Sequence, residues 1–305
     1  MPTNKEKIVQ KIDDLIKQFL AELDYEPILT MLSKLKSGKK LRSKLLLAIA
    51  EENENSLKLC AIIELIHLAS LLHDDIIDES RLRRGAKSIN AEFGTKNALM
   101  LGDILYSKAF YELSQINSHF AGIISDAVVK LAMGELMDVN LTQNFNTDKE
   151  AYLKMIYHKT AVLIEASARC GAILANLNEE AFAQYGKNLG LAFQMIDDVL
   201  DIKNDEKILG KPAMSDFKEG KSTLPYIYLY ENLEEQDRVY LQTLFKKDLN
   251  ENEKEWLKTQ FKEQKALEKA ILEAKAYAKK ASEAIEKYDN NKLNDIIKAM
   301  IDREF

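Results

Sequence analysis

Apolar side chains recur along most of this chain at intervals of three and four residues, the spacing of one face of an α-helix. The pattern predicts helices over about Lys5 to Leu23, Leu57 to Ile77, Ala98 to Leu113, Ala121 to Val139, Ala151 to Leu174 and Glu180 to Ile202. From Glu251 onward Lys and Glu alternate with Ala and Leu, which reads as a solvated amphipathic helix. No long alternating run predicts a strand. The expected class is all-α, with residues 1–305 forming a single domain.

Three segments break the helical rhythm. They are Ser37 to Arg42, the Arg-rich stretch from Ser80 to Gly94, and Lys203 to Pro225, which gathers Gly210, Pro212, Gly220 and Pro225 among several lysines. Loops that join apolar helices are natural places for charged chemistry.

Composition narrows the class. Only 11 Gly and 4 Pro in 305 residues leave room for long helices. A net charge of -6 argues against a nucleic-acid partner, because no bulk basic field exists to hold a phosphate backbone. Cys60 and Cys170 sit in apolar runs and read as buried, reduced thiols. Apolar stretches such as Leu45 to Ala50 are too short to span a bilayer, and the charged start (Lys5, Glu6, Lys7) has no signal-peptide character. A cytoplasmic protein without a transmembrane segment is expected, compatible with transient membrane contact.

Two helix ends spell the same pattern: Asp74-Asp75-Ile76-Ile77-Asp78 and Asp197-Asp198-Val199-Leu200-Asp201. Asp at i and i+4 puts two carboxylates on one helix face. The last turn of a helix is also the wrong end for anions, since the dipole is negative there. One such cluster could be a solvated helix end. Two, each after an apolar helix and before basic residues, point to a bound cation. Oxygen-only ligands indicate a hard ion, Mg²⁺ first, with phosphate completing its shell.

The nearby cations indicate what else is held. Arg83 and Arg84 follow the first cluster; Lys203, Lys211 and Lys221 follow the second; Lys39 and Arg42 form a pair near the start. Arg forks and Lys point charges are the usual holders of diphosphates. His67 lies two turns before Asp74 on the same face, as a core histidine or as a donor to a diphosphate oxygen. Lys159-Thr160 and Gln194 are polar breaks in apolar helices, and Gln194 sits one turn before Asp197 and Asp198.

These residues resemble the trans-isoprenyl diphosphate synthases, in particular the hexaprenyl to octaprenyl diphosphate synthases. His67 to Gly85 (HLASLLHDDIIDESRLRRG) looks like that family's first aspartate-rich motif, and Gly190 to Asp201 (GLAFQMIDDVLD) looks like the second. Gly210 to Pro225 is similar to its lysine-bearing loop. The resemblance implies a large helical bundle of the isoprenoid synthase type with a central active-site cavity, working as a homodimer. It implies Mg²⁺ as cofactor, isopentenyl diphosphate and an allylic diphosphate (farnesyl diphosphate first) as substrates, and a polyprenyl product for a quinone side chain.

The roles it implies are specific. Asp74 and Asp78 would hold Mg²⁺ on the allylic diphosphate with Asp75 in support, and Asp197, Asp198 and Asp201 would hold the other side of the metal cluster. Arg83, Lys159, Lys211 and Lys221 would contact the allylic diphosphate; Lys39, Arg42, His67 and Arg84 would bind isopentenyl diphosphate. Thr160 and Gln194 would sit by the developing cation. Two positions depart from the family pattern. Ser37-Gly38-Lys39 stands where Gly-Gly-Lys is usual, and Gly134-Glu135 stands for Gly-Gln, so no substrate role is expected for Glu135.

The implied reaction is ionisation, condensation and elimination, and no dedicated base stands out. The growing tail would run along the helix of Asp74, past Ala69 and Ser70, whose small size predicts a long product. Ile63, Ile66, Met133 and Met137 are candidates for the tunnel floor on spacing alone. Three other readings are weaker. A P-loop would need Gly where Ser215 stands and a preceding strand. A di-iron bundle would need a second Glu-x-x-His beside Glu64 to His67. A terpene cyclase would not carry the second acidic motif.

Overall fold

The computed structural model describes residues 4–36, 38–203, 213–288 and 291–301. The chain divides into two compact units, each assembled from segments distant in sequence: residues 1–129 with 163–183, and residues 130–162 with 184–305.

The first unit is built on α1 (Asn4–Ala21), α2 (Glu26–Ser33), α3 (Leu41–Ala50), α4 (Glu54–Ile77), α5 (Ile89–Phe93), α6 (Thr95–Ser114), the start of α7 (Ser118–Leu141) and most of α9 (Val162–Leu174). Its centre is α4. Asn53 caps that helix in a reciprocal capping box with Ser56, which defines where it starts. Leu59, Ile62, Ile63, Leu65 and Ile66 are fully buried, each contributing on the order of 2 kcal/mol. A helix apolar on nearly every face must be surrounded, and α1, α3 and α6 all pack on it. By length and mean hydropathy α4 could cross a membrane, which the sequence reading did not anticipate; most of that stretch is buried inside the protein, as in a core helix.

Between α4 and α6 the Arg-rich segment forms a small antiparallel hairpin, β1 (Leu82–Arg83) and β2 (Ala86–Lys87), pairing Leu82 with Lys87 and Arg83 with Ala86. Its turn residues, Arg84 (φ 53°) and Gly85 (φ 69°), are both left-handed, as a two-residue hairpin turn requires.

The second unit holds the rest of α7, α8 (Lys149–Ile156), a π-helical turn (Tyr157–Ala161), most of α10 (Glu179–Lys203), α11 (Ser215–Lys218), α12 (Leu224–Asn232), α13 (Glu235–Leu244), α14 (Glu251–Glu263), α15 (Ala266–Ala284) and α16 (Asn291–Ile301). Pro225 starts α12, where a missing N–H costs nothing. Ala266, Ala270, Ala274 and Ala278 form a buried stripe on α15, small enough for α12 to pack closely. Phe217 stacks on Tyr226 at 4.2 Å between ring centres, with Phe245 and Phe261 edge-on.

The helices expected from periodicity are present within a few residues of their expected bounds. The exceptions are the stretch from Ala151 to Leu174, expected as one helix and interrupted here by the π turn, and the segment from Glu251, expected as one solvated helix but folded as three with a buried alanine stripe. Gly134 on α7 backs onto that turn: a Cβ there would collide with the Lys159 amide nitrogen and lie 2.6 Å from the His158 carbonyl carbon.

Candidate active site

The first acidic motif ends α4. Asp74 and Asp78 lie one turn apart, and the Asp78 N–H closes the helix on the Asp74 carbonyl at 2.8 Å. Asp75 points the other way, into the first unit, where its Oδ1 accepts from Arg83 Nε at 2.9 Å and also from Nη2. The Asn90 amide donates to the Asp75 carbonyl at 3.0 Å, tying α5 to the end of α4. Burial pushes the Asp75 carboxyl upward, only partly offset by Arg83. Burial would lower Arg83, but the hydrogen bond to Asp75 together with the charges of Asp75, Asp74 and Asp78 raises the guanidinium further. Asp75 thus acts through Arg83.

His67 meets three arginines in the same unit. Burial holds its imidazole well below its ordinary value, and the positive charges of Arg42, Arg84 and Arg83 add to the effect. A neutral histidine among three cations is a concentration of donors that an anion would complete. Arg84 is seated over the chain before α3. Its Nη1 donates to the Lys36 carbonyl at 2.8 Å, Lys36 Nζ donates to the Arg84 carbonyl at 3.3 Å, and a Cβ on Gly38 would lie 2.6 Å from Arg84 Nη2. Any side chain at position 38 would require the Arg84 guanidinium to move. Lys39 is exposed, whereas its neighbour Lys40 is buried and paired with Asp13 at 2.7 Å.

The second motif lies on α10 in the other unit. Asp197 is half-buried, while Asp198 and Asp201 are buried. Asp198 accepts from Tyr152 Oη at 2.6 Å and from Gln194 Nε2 at 2.9 Å. Asp201 accepts from Ser215 Oγ at 2.9 Å and from the Asp216 N–H at 3.2 Å, and its carbonyl accepts from the Met214 N–H at 2.8 Å. Asp198 and Asp201, expected beside Asp197 as metal ligands, both also accept hydrogen bonds from protein donors. Their carboxylate oxygens serve protein donors, one orienting Gln194, the other stapling α11 to α10. Burial, reinforced by the charge of Asp216, pushes the Asp198 carboxyl well above its usual range against its two donated bonds.

Thr160 lies in the π turn and donates from Oγ1 to Gln194 Oε1 at 2.7 Å. Thr160, Gln194, Asp198 and Tyr152 form one hydrogen-bonded row. Lys159, in the same turn, is gripped by two residues of α7: Asp138 Oδ2 at 2.6 Å and Glu135 Oε2 at 2.9 Å. Glu135 and Tyr152 were not anticipated. The partner of Glu135 is 24 residues further on, and only the adjacent glycine hinted at a close approach. Lys221 is paired with Glu219 at 2.7 Å. Lys211 lies outside the described residues.

Ala69 is fully buried on α4, and Ser70 beside it donates from Oγ to the His67 carbonyl at 2.9 Å. Ile63 and Ile66 are fully buried one and two turns earlier. Met133, the third of these candidates, is 45% exposed on α7.

Among the described residues no group of three or more Asp, Glu, His or Cys side chains stands ready as a complete metal cage. The chain offers paired oxygen donors at Asp74 and Asp78 and a further one at Asp197. The Asp74–Asp78 pair by itself suits Mg²⁺, which usually takes one or two carboxylates and completes its shell with phosphate oxygens and water.

Residues 25–263 match the family model described as polyprenyl synthetase. Octaprenyl pyrophosphate synthase from Helicobacter pylori superposes with a TM-score of 0.93 at 44% identity, over 98% of this chain and 99% of that one. Octaprenyl diphosphate synthase from Haemophilus influenzae is 35% identical over 257 residues, 82% of this chain and 78% of that one. A short chain isoprenyl diphosphate synthase from Methanothermobacter thermautotrophicus is also 35% identical, over 77% of each chain.

Proposed function

The chain belongs to the polyprenyl synthetase family and is a prenyltransferase, and from that premise we propose that it extends farnesyl diphosphate with isopentenyl diphosphate to a hexaprenyl to octaprenyl diphosphate, using Mg²⁺. The observation that carries the reaction type is the end of α4, where paired carboxylates stand next to a neutral histidine and three arginines. Carboxylates and guanidinium groups in one place suit a diphosphate held jointly by a cation and by side chains.

In this reading Asp74, Asp78 and Asp197 hold the ions. Bound Mg²⁺ supplies charge that stabilises the departing diphosphate. The allylic C–O bond breaks with its electron pair leaving on the diphosphate, the alkene of isopentenyl diphosphate adds to the cation, and the proton lost to restore the double bond goes to the departed diphosphate. Arg83, Lys159 and Lys221 bind the allylic diphosphate; Lys39, Arg42, His67 and Arg84 bind isopentenyl diphosphate. His67 suits that task because its low proton affinity keeps it neutral and able to donate one N–H. Thr160 and Gln194 present fixed dipoles to the developing cation, and apolar walls exclude the water that would quench it.

Two observations support the length. Ala69 and Ser70 leave little side-chain bulk one turn before Asp74, and a relative 44% identical over nearly the whole chain carries the name octaprenyl pyrophosphate synthase. A homodimer is part of the proposal: Val129, Met133 and Leu136 form an exposed apolar stripe on α7, 45–62% accessible. A quinone side chain is the proposed destination of the product.

The test is incubation with labelled isopentenyl diphosphate, farnesyl diphosphate and Mg²⁺, followed by sizing of the dephosphorylated products. A ladder ending at six to eight isoprene units is expected. A stop at geranylgeranyl length would reject the product length and keep the reaction. No Mg²⁺-dependent incorporation would reject both.

A further inference from the structure

Lys159 is held by two acids, and that is one more than its charge requires. Asp138 Oδ2 at 2.6 Å already forms a short ion pair, and Asp138 is itself buried. Glu135 adds a second carboxylate at 2.9 Å, with its side chain 13% exposed. The other oxygen of Glu135, Oε1, is buried and has no hydrogen-bond partner. A buried carboxylate oxygen without a donor costs free energy, so the contact with Lys159 comes at the expense of Glu135. Two carboxylates around one ammonium give the cluster a net charge of about -1 beside a lysine assigned to the allylic diphosphate.

The geometry leaves Lys159 little freedom in its backbone. Gly134, the neighbour of Glu135, allows α7 to touch the π turn at the Lys159 peptide itself. The lysine's adjustable part is its side chain, and its choice lies between the two carboxylates and an incoming anion.

We propose that Glu135 sets the affinity for the allylic diphosphate by competing with it for Lys159. This rests on the assignment of Lys159 to the allylic diphosphate. For an enzyme that repeats its reaction, each cycle leaves a longer allylic diphosphate whose head group must be re-seated or released. A carboxylate that takes the lysine back weakens the hold on that head group and favours release. A neutral side chain at 135 would release Lys159 from one of its two carboxylates, with one like charge fewer facing the diphosphate.

The test uses the full-length protein with Glu135→Gln, a change that keeps shape and an acceptor oxygen. Calorimetric titration with farnesyl diphosphate and Mg²⁺, without isopentenyl diphosphate, reads binding without turnover. Binding tighter by about threefold or more is expected, with titration by isopentenyl diphosphate alone unchanged. Adding Lys159→Ala to the variant should erase the gain. Glu135→Ala gives a second reading of the same sign if the glutamine variant folds poorly. Unchanged or weaker farnesyl diphosphate binding overturns the proposal. So does a gain that survives Lys159→Ala, since the charge would then act without the lysine. A wild-type protein that incorporates no isopentenyl diphosphate would instead reject the functional reading; active wild type with an unaffected variant rejects only the role of Glu135.

Discussion

Thr160 donates its hydroxyl to the Gln194 side-chain oxygen at 2.7 Å, and the amide nitrogen of Gln194 is in turn committed to Asp198 at 2.9 Å. The amide therefore cannot flip, and its dipole is fixed before substrate arrives. Thr160→Val and Gln194→Leu keep volume but remove that order. Either should lower kcat by about tenfold or more while KM for both substrates moves little. Initial-rate kinetics decide; a rise in KM alone would mean that the pair binds ground state and transition state equally.

Close helix contact at glycine predicts a stability contrast. A Cβ on Gly190 of α10 would lie 2.5 Å from the Ala161 Cα, a backbone atom that no rotamer change can move. Gly190→Ala should cost about 1–3 kcal/mol. Gly122 on α7 has nothing within 4 Å of such a Cβ, so Gly122→Ala should stabilise by about 0.5–1 kcal/mol through helix propensity. Urea unfolding of the two variants should move the midpoint in opposite directions.

Stability should also form a plateau in pH. His67 is held below its ordinary value in the folded state, so below about pH 6.5 the unfolded chain takes up a proton that the folded one does not, and stability falls with falling pH. Burial pushes Cys170 up to about 12 and Cys60 higher still. Above about pH 8.5 the unfolded thiols lose protons while the folded ones keep them, so stability falls again. Denaturant midpoints across this range should show both edges, and His67→Asn should flatten the acid one. The same burial makes both thiols unreactive to a disulfide reagent until the protein unfolds.

Bulk placed one turn before Asp74 should shorten the product. Ala69→Phe or Ser70→Phe would fill the space through which a growing tail is proposed to run, and the ladder should end near farnesyl or geranylgeranyl length. Chromatography of the dephosphorylated products reads the result, and an unshortened ladder would place the tail elsewhere.

What could be read in the chain and what could not divide along physical lines. Periodicity located α4 and α10, because an apolar face repeats within each helix. It could not show the π turn at Tyr157–Ala161, which leaves the hydrophobic pattern intact and packs against Gly134 on another helix. The spacing of Asp197 and Asp201 places them on one face, which suggests a shared ion. Whether Asp201 is open or covered depends on residues 214–216 folding back, and nothing within the motif encodes that. Glu135 was set aside because it stands where the family pattern has Gln; its pairing with Lys159 is a tertiary contact that the motif does not show.

Arg83 and Arg84 are adjacent in the chain but serve different addresses. Arg83, on the strand, belongs to Asp75; Arg84, in the left-handed turn, belongs to Lys36 and the approach to α3. A one-residue shift that moved Arg84 onto the strand would take it out of the turn that holds Lys36 and set it where Arg83 meets Asp75. The hairpin thus works as a sorting device that turns a repeated letter into two distinct instructions. Inserting or deleting a single residue between Asp78 and Ser88 should therefore do more harm than replacing any one side chain there with another of similar charge.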